Sequence, residues 1–189
     1  AKRPVDLRGY TIKEKSARCF LCPDGVEKKQ IIETLGGYKP WQFMTLINKY
    51  PVFTKDNPKV YGRQEVIIET PDHGIALGQL PEKTLEKLLH LYARRTAELS
   101  RDKKIEYILI LKNQGAKAGA SLAHAHSQIY ATAFLPPDIL SELTEAKKYY
   151  AATGRCPYCD IIKKEEHSAR RIYSDKQVVA FKQSRAHAS

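Results

Sequence analysis

The chain has 189 residues, enough for one large domain or two small ones, and its 42% hydrophobic and 28% charged residues are ordinary for a globular protein. No apolar run reaches the roughly 20 residues of a membrane helix, and the first residues, AKRPVDLRGY, contain no apolar signal core. The net charge of +11 attracts polyanions, but the basic residues are mixed with acidic ones along the chain. We therefore predict a cytoplasmic protein without a membrane partner, for which nucleic acid is an unlikely ligand.

The first half of the chain contains one strong helix and two strands. Gly and Pro residues predict irregular structure over residues 1–40. The run WQFMTLINKYPVF predicts a strand followed by a loop, and RQEVIIET predicts a strand that ends at PDHG. The segment PEKTLEKLLHLYARRTAELSRD predicts a helix because its apolar residues recur at helical spacing. The predicted apolar face consists of Leu85, Leu88, Leu89, Tyr92 and Leu99.

The second half continues with two strands and a helix. IEYILILK predicts a buried strand, and the small-residue loop NQGAKAGAS leads into another strand, HAHSQIYATAF. PPDILSELTEAKKYYAATG predicts a helix with Pro just ahead of it and Gly just after it. Beyond it, RCPYCDII repeats the Arg-Cys-x-x-Cys of RCFLCPDG, which indicates two related units. We assign residues 1–137 to the first unit and 138–189 to a linker helix and the incomplete start of the second, as in a fragment of a longer protein.

The four cysteines form two C-x-x-C pairs, Cys19 with Cys22 and Cys156 with Cys159. Structural disulfides are unusual in the cytoplasm, so each pair is either a redox motif or half of a metal site. The two pairs lie too far apart in sequence for one compact zinc ribbon. They therefore indicate two separate, similar sites, and the metal interpretation requires further ligands.

Two histidines at alternate positions are candidates for those ligands. Alternate residues of a strand share a face, so His124, His126 and Gln128 are expected to project together. Zinc favours four thiolate and imidazole ligands, of which the first cysteine pair supplies two and one of these histidines a third. His73, in the turn TPDHG, is the candidate for the fourth, although taken singly it is simply a turn histidine.

The other histidine of the pair is then available for chemistry. Neutral imidazole is a competent nucleophile, and attack on phosphorus requires donors for the non-bridging oxygens. The amides of the preceding loop, together with Ser121 and Gln128, are suitably placed to supply them. The small residues of that loop also allow close approach of the backbone to a phosphate.

The segment KNQGAKAGASLAHAHSQ resembles the signature of the galactose-1-phosphate uridylyltransferase family, a branch of the histidine-triad (HIT) superfamily. The family pattern is Asn-x-Gly, several small residues, Gly-x-Ser and then His-x-His-x-Gln, which the chain matches from Asn113 to Gln128. The resemblance extends from AKRP through CFLC and INKYPVF to CPYC. It implies an α+β fold, with a HIT-like antiparallel sheet that carries helices on one face and the start of a second, truncated HIT-like unit.

The resemblance also implies roles for individual residues. The implied zinc ligands are Cys19, Cys22, His73 and His124. His126 corresponds to the nucleophile that becomes nucleotidylated, and Gln128 to the residue that contacts the phosphoryl group and favours transfer over hydrolysis. The implied substrate-binding residues are Asn113, Gly119 and Ser121 near the phosphates and Arg3 and Asn48 near the nucleotide.

The implied reaction is a ping-pong transfer of a nucleoside monophosphate from a nucleotide-sugar to a sugar 1-phosphate or free phosphate, as in UDP-glucose:galactose-1-phosphate uridylyltransferases. NQGAKAGAS and IETPDHG look closer to members that transfer adenylyl groups, such as phosphorylases of ADP-glucose or diadenosine polyphosphates. Two further alternatives are a HIT-type hydrolase, against which Gln128 argues, and a zinc-stabilised nucleic-acid-binding module. The zinc is expected to be structural because protein ligands fill all four positions.

The second half departs from the family pattern. Cys156 and Cys159 lack the histidine partners that normally follow, and His187 is a poor substitute. We expect at most an incomplete second metal site here, with iron as an alternative to zinc in the full-length protein. Because the family usually dimerises, we also expect a homodimer when the protein is full length.

Overall fold

The computed structural model describes residues 19–37, 41–115, 118–120 and 122–182. The chain divides into two compact units, Ala1–Phe134 and Leu135–Ser189. The first unit contains β1 (Ile31–Leu35), β2 (Phe43–Ile47), β3 (Gly62–Ile68), α1 (Glu82–Leu99), β4 (Tyr107–Leu111) and β5 (His126–Thr132). The second contains α2 (Pro137–Thr153), α3 (Pro157–Glu165), β6 (Arg171–Ser174) and β7 (Val179–Phe181).

The first unit is built on a five-stranded antiparallel sheet with the strand order β1-β2-β3-β5-β4. Helix α1 connects β3 to β4, and β5, the last strand along the chain, inserts between them. Strand β5 therefore has a hydrogen-bonded neighbour on each side. Its residue Gln128 lies opposite Val66 of β3 and Leu111 of β4. A side chain on this central strand is held more firmly than one at a sheet edge.

The two faces of this sheet carry separate cores. On one face, α1 contributes Leu88, Leu91 and Leu99 to a cluster with sheet residues that include Ile67 and Ile129. The opposite face packs a second cluster, which consists of Leu21, Trp41, Met44, Leu46 and Ile68. Alternation along β5 thus directs Ile129 towards the helix and leaves His126 and Gln128 on the opposite face. The α+β class with a helix on one face of an antiparallel sheet is confirmed.

Helix α1 is confirmed, but its predicted apolar face is partly wrong. Leu89 is 64% exposed, whereas Leu91 and Arg95 are buried. Arg95 is tolerated in the interior because its guanidinium donates to both carboxylate oxygens of Glu65, at 2.8 and 2.9 Å. Because Arg95 is part of the buried face of α1, that face differs from the one that the apolar residues alone indicate.

The prediction of irregular structure over residues 1–40 is wrong for Ile31–Leu35, which forms edge strand β1. Every residue of β1 is only half-buried, and its sequence IIETL shows no polar–apolar alternation. Pairing with the next strand, β2, defines β1, because strand formation depends on such pairing as well as on the strand's own residues.

The second unit consists of two helices and a two-stranded antiparallel sheet of β6 and β7. Helix α2 begins with Pro137 and ends at Gly154, whose left-handed conformation (φ 67°) closes the helix as predicted. Cys156 occupies the N-cap position of α3. Across the described part of the chain, no helix has the length and apolar character to cross a membrane.

Candidate functional site

Four potential metal ligands, Cys19, Cys22, His73 and His124, lie together in the first unit and are called here the Cys2His2 cluster. Their ligand atoms all lie within 4.8 Å of one another. The cysteines come from a turn ahead of β1, His73 from the turn after β3, and His124 from the loop ahead of β5. The chain thus brings three distant segments to one point beside the sheet.

The spacing of these atoms suits a tetrahedral metal ion. Zn–S bonds of about 2.3 Å and Zn–N bonds of about 2.0 Å give a sulfur–nitrogen separation of roughly 3.5 Å. Cys22 Sγ lies 3.4 Å from His73 Nδ1 and 3.5 Å from His124 Nδ1, and Cys19 Sγ lies 3.8 Å from His124 Nδ1. The donor set and its dimensions therefore fit a Cys2His2 metal site.

The surroundings of His124 fix its tautomer. Its Nε2 lies 2.7 Å from the carbonyl oxygen of Thr70, which can only accept, so Nε2 carries the proton and donates. The lone pair on Nδ1 then points towards the cysteine sulfurs, as a metal ligand requires. Burial also lowers the pKa of His124, which favours the neutral, ligating imidazole.

Burial and the neighbouring Cys19 raise the pKa of the Cys22 thiol to about 11. A bound cation would reverse this tendency, because a coordinating thiol is deprotonated by the ion.

His126 is the first residue of β5, and its ring has the opposite tautomer from that of His124. Its Nδ1 lies 2.7 Å from the carbonyl oxygen of His124, so Nδ1 is the donor and the lone pair lies on Nε2. The His126 side chain is only 8% exposed, yet it lines an open cavity. The backbone of one histidine therefore orients the ring of the other.

This cavity has a volume of about 410 Å³, within the range of small-molecule sites. Its floor is formed by alternate residues of β5 and β3, and its rim by the turn that follows β2. Floor and rim residues include His126, Gln128, Tyr130, Gln64, Val66, Asn48 and Tyr50, and the cysteine turn adds Phe20 and Leu21. The turn that carries Cys19 and Cys22 thus also contributes to the cavity wall.

Three amide side chains, Asn48, Gln64 and Gln128, form an amide cluster on the cavity floor. Gln128 Oε1 accepts from Gln64 Nε2 at 3.0 Å, from the Tyr130 hydroxyl at 3.0 Å and from Asn48 Nδ2 at 3.5 Å. Gln64 Oε1 in turn accepts from the backbone N–H of Val52 at 2.9 Å. Because these donors occupy Gln128 Oε1, the Nε2 amide group of Gln128 is the part of the side chain that can donate to a ligand.

The predicted site residues of the first unit fall into four groups. His126, Gln128 and Asn48 line the cavity, and the four predicted metal ligands converge beside it. Asn113 and Gly119 lie exposed in the loop between β4 and β5, outside the set of cavity-lining residues. Gly119 has a φ of 78°, which favours glycine for conformational reasons alone. Arg3 and Ser121 lie outside the described residues.

The expectation that one strand carries both histidines is wrong for His124. Strand β5 begins at His126, and His124 lies in the bend that precedes it. Because His124 turns towards Cys19 and Cys22 and His126 turns into the cavity, the two rings occupy different sites.

Sequence reasoning did not find Gln64 or Tyr130. Gln64 is 3% exposed and occurs two positions ahead of Val66 in a strand that otherwise reads as apolar on that face. This polar residue within an otherwise apolar face was the signal that could have identified Gln64. Tyr130 continues the alternation of His126 and Gln128 and could have been found by extending it.

The second C-x-x-C pair has different surroundings. Cys156 occupies the N-cap position of α3, and the nearby Cys159, above all its backbone N–H, lowers the pKa of the Cys156 thiol. Within the described residues, no third metal-ligand side chain joins Cys156 and Cys159 in a cluster.

Comparison with known proteins agrees with the motif analysis. The model of the galactose-1-phosphate uridyl transferase N-terminal domain matches residues 6–136. A galactose-1-phosphate uridylyltransferase of Thermotoga maritima is 31% identical over 193 residues, covering 95% of this chain and 55% of that protein. An ADP-glucose phosphorylase of Arabidopsis thaliana is 29% identical over 179 residues, covering 85% of this chain and 51% of that protein.

The crystal structure of an Arabidopsis thaliana ADP-glucose phosphorylase with bound ADP-glucose has a TM-score of 0.71 and 27% identity, covering 86% of this chain and 52% of that one. The chain belongs to the galactose-1-phosphate uridylyltransferase family, which confirms the resemblance seen in its motifs. It spans about half the length of the curated relatives that it matches.

Proposed function

We propose that this chain is the catalytic half of a nucleotidyltransferase that passes a nucleoside monophosphate through a nucleotidyl-histidine at His126. The observation that carries the proposal is the orientation of His126: its Nδ1 proton is held by the His124 carbonyl, and the ring lines a cavity of ligand size. Family membership supports the same reaction class.

In the first half-reaction, His126 Nε2 attacks the α-phosphorus of a nucleotide-sugar. The Nε2–P bond forms, the P–O bond to the β-phosphate breaks, and its electron pair leaves with the sugar 1-phosphate. Because the attacking atom carries a lone pair, no base has to remove a proton from it. The ring becomes cationic as it attacks, which strengthens the Nδ1–H hydrogen bond to the His124 carbonyl.

In the second half-reaction, an oxygen of a sugar 1-phosphate or of free phosphate attacks the same phosphorus and the Nε2–P bond breaks. Gln128 supports transfer to phosphate in preference to water. Its amide can donate a hydrogen bond to a phosphoryl oxygen, but it cannot exchange a proton with an attacking water at neutral pH. A histidine in the same place could do so.

We propose that Cys19, Cys22, His73 and His124 hold a structural zinc ion. The ion would fasten the turn that carries Phe20 to the segment that leads into β5. With protein ligands in all four positions, it would offer no open position to a substrate. A corresponding site around Cys156 and Cys159, with zinc or iron, is proposed only for the full-length protein.

The uridylyl donor is the primary candidate because galactose-1-phosphate uridylyltransferases are prominent among the relatives. An adenylyl donor is the second candidate. It is favoured by the segments NQGAKAGAS and IETPDHG and by the similarity to ADP-glucose phosphorylase. We further propose a cytoplasmic location, a homodimeric full-length protein and, for residues 138–189, a linker helix that leads into a second HIT-like unit.

Intact-mass spectrometry tests the proposal. The zinc-loaded chain is mixed with UDP-glucose or with ADP-glucose at or above neutral pH, because a phosphoramidate is lost in acid. A UMP-sized adduct with UDP-glucose is expected, and an AMP-sized adduct with ADP-glucose would identify the adenylyl branch. No adduct from either donor on a folded, metal-loaded chain would contradict the proposal.

Two variants accompany this test. His126→Ala is expected to abolish the adduct, whereas His90→Ala is the matched control, since the His90 side chain is 79% exposed on α1. An adduct of equal yield in both variants would place the modified residue elsewhere.

A further inference from the structure

A buried ion pair lies beneath the strand that carries His126. Glu69 follows β3 and is fully buried, and Lys112 follows β4 with 17% of its side chain exposed. Lys112 Nζ donates to Glu69 Oε2 at 2.6 Å. These residues are called here the Lys112–Glu69 pair. Neither belongs to the cavity lining, so the proposed reaction does not use them directly.

The pair contacts residues 125–127, where the chain enters β5. The backbone N–H of Glu69 donates to the Ala125 carbonyl at 3.1 Å, and Lys112 Nζ donates to the His126 carbonyl at 3.3 Å. The Ser127 hydroxyl donates to Glu69 Oε1. The backbone on either side of the His126 ring is therefore held from the face opposite the cavity.

Helix α1 completes this network through Tyr92. Its hydroxyl donates to Glu69 Oε1 at 3.1 Å and lies 2.6 Å from the Ser127 hydroxyl. Burial and the charge of Glu69 raise the pKa of Tyr92, so the hydroxyl remains protonated and able to donate. Glu69 Oε1 thus has partners on both α1 and β5, while its Oε2 bonds to Lys112.

We propose that the Lys112–Glu69 pair positions His126, by fixing residues 125–127 so that the ring keeps Nδ1 on the His124 carbonyl and presents Nε2 to the cavity. Its catalytic consequence rests on the proposed function. Both residues act through the backbone and neither touches a reacting atom. They are positioning residues.

Stability alone is a poor explanation for such a pair. Buried ion pairs are commonly replaced by apolar residues with little loss of stability, because desolvation offsets their attraction. A displacement of about 1 Å at a reacting atom, in contrast, reduces a rate by about 100-fold. The contacts to residues 125–127, two from the side chains of the pair and one from the Glu69 backbone, fit this second role.

The test uses the double variant Lys112→Met with Glu69→Gln, which removes both charges and leaves neither unpaired. Histidine ¹⁵N NMR of the zinc-loaded chain reports the tautomer of His126 without any substrate. We expect the Nδ1–H signature of His126 to give way to mixed tautomers. We also expect nucleotidylation at saturating donor to slow by about 10- to 100-fold, with the donor concentration for half-maximal rate little changed.

The matched control is Arg95→Met with Glu65→Gln, a buried pair between α1 and β3 that has no bond to residues 125–127. It is expected to lose comparable stability and to leave the His126 signature and the rate unchanged. If both double variants, at matched stability, change the His126 tautomer and the nucleotidylation rate equally, the Lys112–Glu69 pair has only a structural role and the inference is overturned.

The NMR measurement separates this inference from the proposed function. The proposed function fails if the unsubstituted chain forms no adduct. The positioning inference still stands in that case if the His126 tautomer changes in the Lys112–Glu69 double variant and not in the control double variant. If the tautomer is the same in both double variants, the positioning inference fails, whatever the adduct shows.

Discussion

The two C-x-x-C segments share the sequence Arg-Cys-x-x-Cys but not the same structural role. Cys19 and Cys22 lie in a tight turn, where they meet His73, which follows the end of β3, and His124, which precedes the start of the paired strand β5. Cys156 and Cys159 lie at the start of α3, and no such histidines join them in the described part of the second unit. The histidines that follow β3 and precede β5 therefore distinguish the first cysteine pair as the candidate metal site.

The largest expected difference between the segments is in metal binding. His124→Ala should reduce bound zinc from about one equivalent per chain to near zero, since it removes the buried ligand. It should lower the free energy of unfolding by several kcal/mol, because structural zinc contributes on the order of 10 kcal/mol to small metal-dependent folds. Plasma mass spectrometry and thermal melts measure both effects.

Cys156→Ala with Cys159→Ala is the control, and it should leave the zinc content unchanged. If the second pair, and not His124, governs the zinc content, the comparison between the two segments is wrong.

Thiol reactivity in the metal-free chain should also differ between the two cysteine pairs. The pKa of Cys22 is raised to about 11 from 9.0, so at pH 8 its thiolate is about 100-fold scarcer than in an unperturbed cysteine. The pKa of Cys156 is lowered, so its thiolate is more abundant. Iodoacetamide should therefore label Cys156 well before Cys22, as followed by peptide mass spectrometry. Equal labelling rates would contradict the contrast in their surroundings.

A smaller effect is expected in the cysteine turn itself. A Cβ atom at Gly25 would lie 2.1 Å from the carbonyl oxygen of Cys19, so Gly25→Ala must displace the turn. We expect weaker zinc binding and a loss of about 1–3 kcal/mol in the free energy of unfolding. Competition with a chromogenic chelator and denaturant titration measure these quantities.

Gly78→Ala is the matched control for this variant. A Cβ atom at Gly78 meets nothing within 4 Å, so zinc binding should be unchanged. If both alanine variants bind zinc equally well, the close approach at Gly25 has no bearing on the site.

Local patterns predicted most of the first unit. Strong periodicity located α1, and β-branched runs located β3 and β4. Residue types and spacing gathered Cys19, Cys22, His73 and one histidine of the His-x-His pair, because zinc chemistry restricts its ligands to a few side chains. The choice of His124 from that pair came from the resemblance to the family. The resemblance to the family added the roles of His126 and Gln128, which geometry alone would have left open.

Features set by distant contacts could not be predicted in this way. Arg95 is buried only because Glu65 faces it from β3, and the amide cluster exists only because β3 and β5 pair in one register. The Lys112–Glu69 pair joins residues 43 positions apart. In each case, the reason for a residue lies in a partner that the neighbouring sequence does not reveal.

We propose that the two histidines of the His-x-His segment have separate roles, His124 as a metal ligand and His126 as the nucleophile. Tandem mass spectrometry of the nucleotidylated chain under non-acidic conditions, with native mass measurement of bound zinc, tests it most directly. We expect one nucleotide on His126 while one zinc ion stays bound. A nucleotide on His124, or release of zinc as the adduct forms, would contradict it.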